Sequence, residues 1–117
     1  MEQPSAVVVV FRSRIRADAD LHELEVAGAR MYALACAMPG FISYKDYTAV
    51  DGESVSIVEF ADLGSLQAWR QHPEHVQMQR KGREVFMSEY RIQVCKTERE
   101  YAFQTTSSPK QDAASGI

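Results

Sequence analysis

His75 and Trp69 are the side chains in this 117-residue sequence best suited to chemistry. His75 shares one helical face with Met78, Gly82, Val85 and Phe86 and so lies on an apolar stripe. An imidazole there could move a proton or coordinate iron, because its reference pKa near ~6.5 is close to neutrality; a hydrogen-bonded core histidine is the competing reading. Trp69, the sole tryptophan, could stack on an aromatic ligand or serve as a core ring, since tryptophan buries roughly 150–250 Å² in any fold. His72 precedes Pro73, which favours extended backbone at a helix entrance, as a cap or a pocket rim. Glu59 interrupts an apolar run: buried, its carboxylate would have a raised pKa suited to acid–base work, whereas paired with an arginine across a subunit contact it would be structural. Tyr44, Tyr47 and Tyr90 lie on expected strands and could hydrogen-bond a phenolic ligand, but periodicity does not say which face each one takes. Arg80, Lys81 and Arg83 could hold an anion, yet with Glu84 among them they read as a solvated helix face.

Regular elements must position these groups. Ala6–Phe11 is β-branched and continuous, which predicts a strand covered on both faces. Asp20 with Glu23 three positions later suits a capping box, opening a helix whose apolar face is Leu21, Leu24, Gly28, Met31, Tyr32, Ala35 and Met38. Pro39-Gly40 ends it and suits the centre of a type II turn. Phe41–Val50 and Glu53–Ala61 flank Asp51-Gly52, the signal of an antiparallel hairpin. Leu63–Arg70 predicts a short helix, and Pro73 suits the first turn of another. Ser88–Phe103 predicts one long final strand.

The order strand, helix, strand, strand, helix, strand is the split βαβ pattern of an α+β ferredoxin-like sandwich, an antiparallel sheet with helices on one face. Residues 1–103 are expected to form that domain, and 104–117, poor in residues to bury, a disordered tail. The apolar share of 45% and charged share of 25% are those of an ordinary globular protein. Thirteen Lys plus Arg against sixteen Asp plus Glu give a net charge of -3, which offers no general attraction for nucleic acid or anionic lipid. No apolar run approaches a membrane span and Met1–Ser5 lacks the features of a secretory signal, so a cytoplasmic location is expected. Cys36 and Cys95 lie far apart, without the spacing of a zinc site or disulfide framework.

Both faces of the sheet carry apolar residues: Val7, Val9 and Phe11 alternate with Val8 and Val10, and Val55 and Ile57 with Val58 and Phe60. Helices cover one face only, so the other is expected to pack on the sheet of a second copy, with Glu98–Phe103 reaching over it through Tyr101 and Phe103.

Met38-Pro39-Gly40-Phe41, Val58-Glu59-Phe60, and Leu66-Gln67-Ala68-Trp69 followed by His72-Pro73-Glu74-His75 resemble, in order and spacing, the antibiotic biosynthesis monooxygenase family of dimeric α+β barrels, over roughly residues 6–103. The resemblance implies a homodimer with a small pocket between sheet and helices in each subunit. It also implies cofactor-free oxidation of a small aromatic or phenolic substrate, with Trp69 positioning the ring and His75 assisting proton transfer. Tyr44, Tyr47, Phe60, His72, Met78 and Phe86 are the expected substrate contacts, and neither metal nor flavin is expected. Two alternatives remain open: heme binding or degradation through His75, and a non-catalytic module holding a small hydrophobic ligand. The sequence departs from the heme-degrading branch in containing no asparagine and in placing Gln79 where the axial histidine would fall. It departs from the polyketide oxygenases in having Ser65 one turn before the tryptophan, where they use asparagine.

Overall fold

A computed structural model describes residues 6–105. β1 (Val7–Ile15), α1 (Leu21–Cys36), β2 (Phe41–Thr48), β3 (Ser54–Phe60), α2 (Leu63–Arg70), α3 (Pro73–Lys81) and β4 (Met87–Lys96) follow in order, with a π-helical turn at Gly82–Phe86 between α3 and β4. The sheet runs β2-β3-β1-β4 with every neighbouring pair antiparallel. Each crossover therefore skips one strand, which is the ferredoxin-like α+β arrangement expected from the element order.

Local chemistry explains the boundaries. The Asp20 carboxylate accepts from the Glu23 amide at 3.0 Å, but the reciprocal half of the capping box is replaced by a 2.6 Å ion pair from Lys81 Nζ to Glu23. The Phe41 amide donates to the Met38 carbonyl at 3.3 Å and Gly40 has φ +83°, the type II turn that Pro39-Gly40 predicts. A Cβ at Gly40 would stand 2.3 Å from Ser65 Oγ, so this glycine also lets the first turn of α2 approach the start of β2. The hairpin closes with Gly52 at φ +92° and its amide donating to Ala49 at 2.9 Å. Its three-residue loop, Val50 to Gly52, ends in the left-handed glycine such loops require.

The core lies between the helices and one face of the sheet. Val7 and Val9 of β1 and Val58 and Phe60 of β3 meet Met31, Leu34 and Ala35 of α1 and Leu66 and Trp69 of α2. On the opposite face Val8, Val10, Val55 and Ile57 are only half-buried, and no described element lies over them.

Three expectations need correction. β1 continues to Ile15, because alternation persists with Ser13 inward and Arg12 and Arg14 outward. β4 stops at Lys96, not Phe103; beyond the 2.9 Å bond from the Thr97 amide to Ala6 the chain leaves the sheet, with Tyr101 85% and Phe103 92% exposed. The tail reading falls mostly on 106–117, outside the described residues. Finally, the stripe that continued α3 through Val85 breaks. The wider π-helical turn shifts the phase of the helix, burying Phe86 at 2% exposure and turning Val85 outward at 44%.

Candidate functional site

A cavity of about 580 Å³ lies between the helices and the inner face of the sheet. α1 contributes Leu24, Gly28, Met31 and Tyr32, and the strands contribute Val9, Phe11, Tyr44 and Val58. Trp69, Arg70, His75, Met78 and Gln79 close it from α2 and α3, with Phe86 from the π-helical turn.

Trp69 anchors an aromatic network. Its ring meets His75 at 4.4 Å between centroids, edge to face, Tyr44 at 6.1 Å and Phe60 at 5.6 Å, and Tyr44 meets Tyr32 at 5.4 Å. Such tilted contacts suit the ring quadrupoles and lock the side chains in place. Trp69 Nε1 and His75 Nδ1 are both buried, and neither has a hydrogen-bond partner. Buried polar atoms are nearly always satisfied in folded proteins, so two orphans on adjacent rings are an exception that asks for a partner.

The electrostatics favour neutral groups. Burial pushes the His75 pKa down to about 4, with the nearby charges of Arg70 and His72 acting in the same direction. The imidazole is therefore unprotonated near neutrality. Burial, reinforced by Asp46, pushes the Tyr44 phenol up to about 12, which keeps its proton in place. Asp46 accepts a 2.5 Å hydrogen bond from Ser56 Oγ and also lines the cavity.

Of the residues singled out in the sequence, Trp69, His75, Tyr44, Met78 and Phe86 come together around the cavity, and Tyr90 lines it too. Tyr47 borders it but pairs with Val55 in register, which directs its side chain to the outer face. Phe60 and His72 do not line it. Phe60 is fully buried beneath Trp69, and His72 spends its Nδ1 on the Glu74 amide at 3.1 Å, capping α3. Glu59 lies opposite Val8 and Ser43 on the outer face, away from the cavity. Lys81 pairs with Glu23 and Arg83 donates to the Tyr90 hydroxyl, so two of the three cations in the basic run are engaged within the chain. Ser65, in the place of the family's asparagine, packs toward Gly40 and is not among the lining residues.

Arg70 and Asp46 were not singled out from the sequence. Arg70 was hidden because a cation in the last turn of a helix reads as a dipole partner. Among the described residues no cluster of His, Cys, Asp or Glu is arranged to hold a metal ion, and no helix is long and apolar enough to cross a membrane.

Comparison with known proteins bears on this geometry. The model of a family described as antibiotic biosynthesis monooxygenase matches residues 6–81. The protein YqjZ of Bacillus subtilis is 30% identical over 102 residues, 87% of this chain and 88% of that one. The structure of Rv0793 from Mycobacterium tuberculosis superimposes with a TM-score of 0.72 at 24% identity, covering 84% of this chain and all of that one. SnoaB of Streptomyces nogalater, a cofactor-independent oxygenase, superimposes with a TM-score of 0.68 at 18% identity over 81% of this chain and 95% of its own.

Proposed function

The chain belongs to the antibiotic biosynthesis monooxygenase family, and on that premise we propose that it oxidises a small electron-rich aromatic or phenolic substrate with O₂ inside this cavity, without metal or flavin. The observation that carries the reading is the pair of unpartnered buried nitrogens, Trp69 Nε1 and His75 Nδ1, in an otherwise largely apolar, aromatic-walled cavity.

Trp69 can only donate, so its indole N–H suits a substrate oxygen. His75, neutral at working pH, is in the form that accepts a proton. A ring with its pKa near 4 is a weak base in the empty cavity, but an anion forming beside it stabilises the imidazolium and raises that value on binding. Once a ring methylene or phenol is deprotonated, the delocalised carbanion gives an electron to O₂ and the two radicals recombine at carbon. The peroxide O–O bond then breaks: one oxygen stays as the new carbonyl, the other leaves as water, and the substrate has lost two hydrogens, both from the carbon of a methylene or one each from the ring carbon and the hydroxyl of a phenol. Tyr44, which keeps its proton, can donate to the developing oxygen charge.

Oxygen uptake with a panel of hydroquinones and anthrones tests the reading. Uptake with at least one substrate class, reduced in His75→Ala and Trp69→Phe, is expected; no uptake with any of them would overturn it, and binding without uptake would point to a ligand-holding module. The unpartnered His75 nitrogen also suits heme iron, the second reading. A Soret shift saturating at one hemin per chain and lost in His75→Ala would favour it.

We also propose that two copies pack through the outer face of the sheet. The half-buried Val8, Val10, Val55 and Ile57 and the exposed Tyr101 and Phe103 support that assembly.

A further inference from the structure

Among the described residues, Arg70 is the one Lys or Arg that lines the cavity. It lines the wall and is half-buried, its charge acts on His75, and among the described residues it forms no hydrogen bond or ion pair. Two arginines of the smaller polar cleft are engaged, Arg12 with Glu53 at 3.1 Å and Arg14 with Asp51 at 2.8 Å, and Arg91 beside them is exposed on the surface. Helix polarity accounts for a cation in the last turn of α2. It does not account for one that lines a cavity without a counter-ion.

Hydrogen-bond capacity at this end is unbalanced. A guanidinium has five N–H donors and no acceptor, and the indole N–H also only donates. Of the two lining carboxylates, Asp46 is engaged by Ser56 and lies on β2, where it neighbours Tyr44 rather than α2, and Glu25 is exposed on α1 and forms no ion pair with Arg70. Neutral His75 and the Gln79 amide can accept at this end, but neither carries charge, so the component the guanidinium lacks is a negatively charged acceptor.

We infer that Arg70 makes this cavity selective for aromatic ligands carrying an anionic oxygen, a carboxylate or an ionised phenol, held between the guanidinium and Trp69 Nε1 with the ring against the apolar wall. The inference deepens the proposed function and rests on its assignment of the cavity as the substrate site. It adds a specificity residue: the same guanidinium would lower the pKa of a bound phenol and so assist the deprotonation that precedes reaction with O₂.

Calorimetric titration of the full chain with 2-naphthoate, 2-naphthol and 2-methoxynaphthalene tests it, alongside the indole N–H resonance of the sole tryptophan. The wild type is expected to bind 2-naphthoate at least about tenfold more tightly than Arg70→Gln does, with Arg70→Lys in between, as loss of a charge-assisted hydrogen bond implies. The indole resonance should move, and the affinity should fall with added salt. 2-Methoxynaphthalene should bind both proteins alike and ignore salt. An Arg70 dependence that extends to 2-naphthol would identify the ionised phenol as a ligand, and one confined to 2-naphthoate the carboxylate. Equal binding of all three probes, no binding of 2-naphthoate, or salt-independent binding by the wild type would each overturn the inference without requiring a variant to fold. Oxygen uptake separates it from the broader reading, because undiminished uptake in Arg70→Gln retains the oxygenase and removes the anion site.

Discussion

The rings of Trp69 and His75 meet edge to face with centroids 4.4 Å apart, while the nitrogen of each that is buried bonds to nothing. Packing fixes both side chains and leaves both polar atoms without a partner.

Acid should destabilise the fold through His75. Its folded pKa of about 4 lies below the ordinary 6.5, so the unfolded chain takes up this proton first. The contribution of the neutral ring is complete above about pH 6.5 and is lost as pH falls toward 4. At about 1.4 kcal/mol per unit the loss has an upper bound of about 3 kcal/mol, reduced by the contact the ring keeps with solvent. Urea unfolding at pH 7 and pH 4.5 should show a smaller difference for His75→Gln than for the wild type.

Trp69→Ala should cost roughly 3–5 kcal/mol, since it removes a large buried side chain, a considerable part of what a domain of this size has. Trp69→Phe keeps most of the packing and removes only the N–H donor. Thermal melts should therefore separate the two variants widely, while both lose affinity for ligands that accept from the indole.

The two positive-φ glycines should differ in tolerance. Alanine at Gly52, with open space around its Cβ, incurs mainly the left-handed backbone penalty of roughly 1–2 kcal/mol. Alanine at Gly40 meets the Ser65 side chain, at 2.8 Å from its Cβ as well as at Oγ, and should lower Tm further. In a Ser65→Gly background the extra cost should shrink, a non-additivity expected of residues in contact.

Val10→Glu places a charge amid Val8, Ile57 and Gln93 on the outer face. Sedimentation at micromolar concentration should give a dimer for the wild type and a folded monomer for the variant. A wild type that is itself a stable monomer would remove the dimer proposal.

Much of this was legible from residue types. Asp20, Pro39-Gly40, Asp51-Gly52 and Pro73 each have one dominant backbone use, and each was found in it. Two of the illegible features changed a phase. The register of β2 shifts between Phe41 and Ser43, so Phe41 and Tyr44 both face the helices although their spacing would set them on opposite sides. That is why period-two reasoning could not sort the tyrosines. The π-helical turn did the same to Val85 and Phe86. Arg70 was missed for another reason: sequence patterns show which residue covers a core, not which charged neighbour lacks a counter-ion.

The bulge at Ile42 has an evolutionary corollary. Removing that single residue would restore regular alternation, so one end of β2 would exchange its inward and outward side chains with no substitution anywhere. The change would fall on the Phe41 end, where β2 packs against the core, while β1, β3 and the hairpin keep their pairing and Tyr44 and Asp46 keep their place in the cavity wall. Core packing at this end would then change with chain length as well as with residue identity, and alignments that score only substitutions would overlook it.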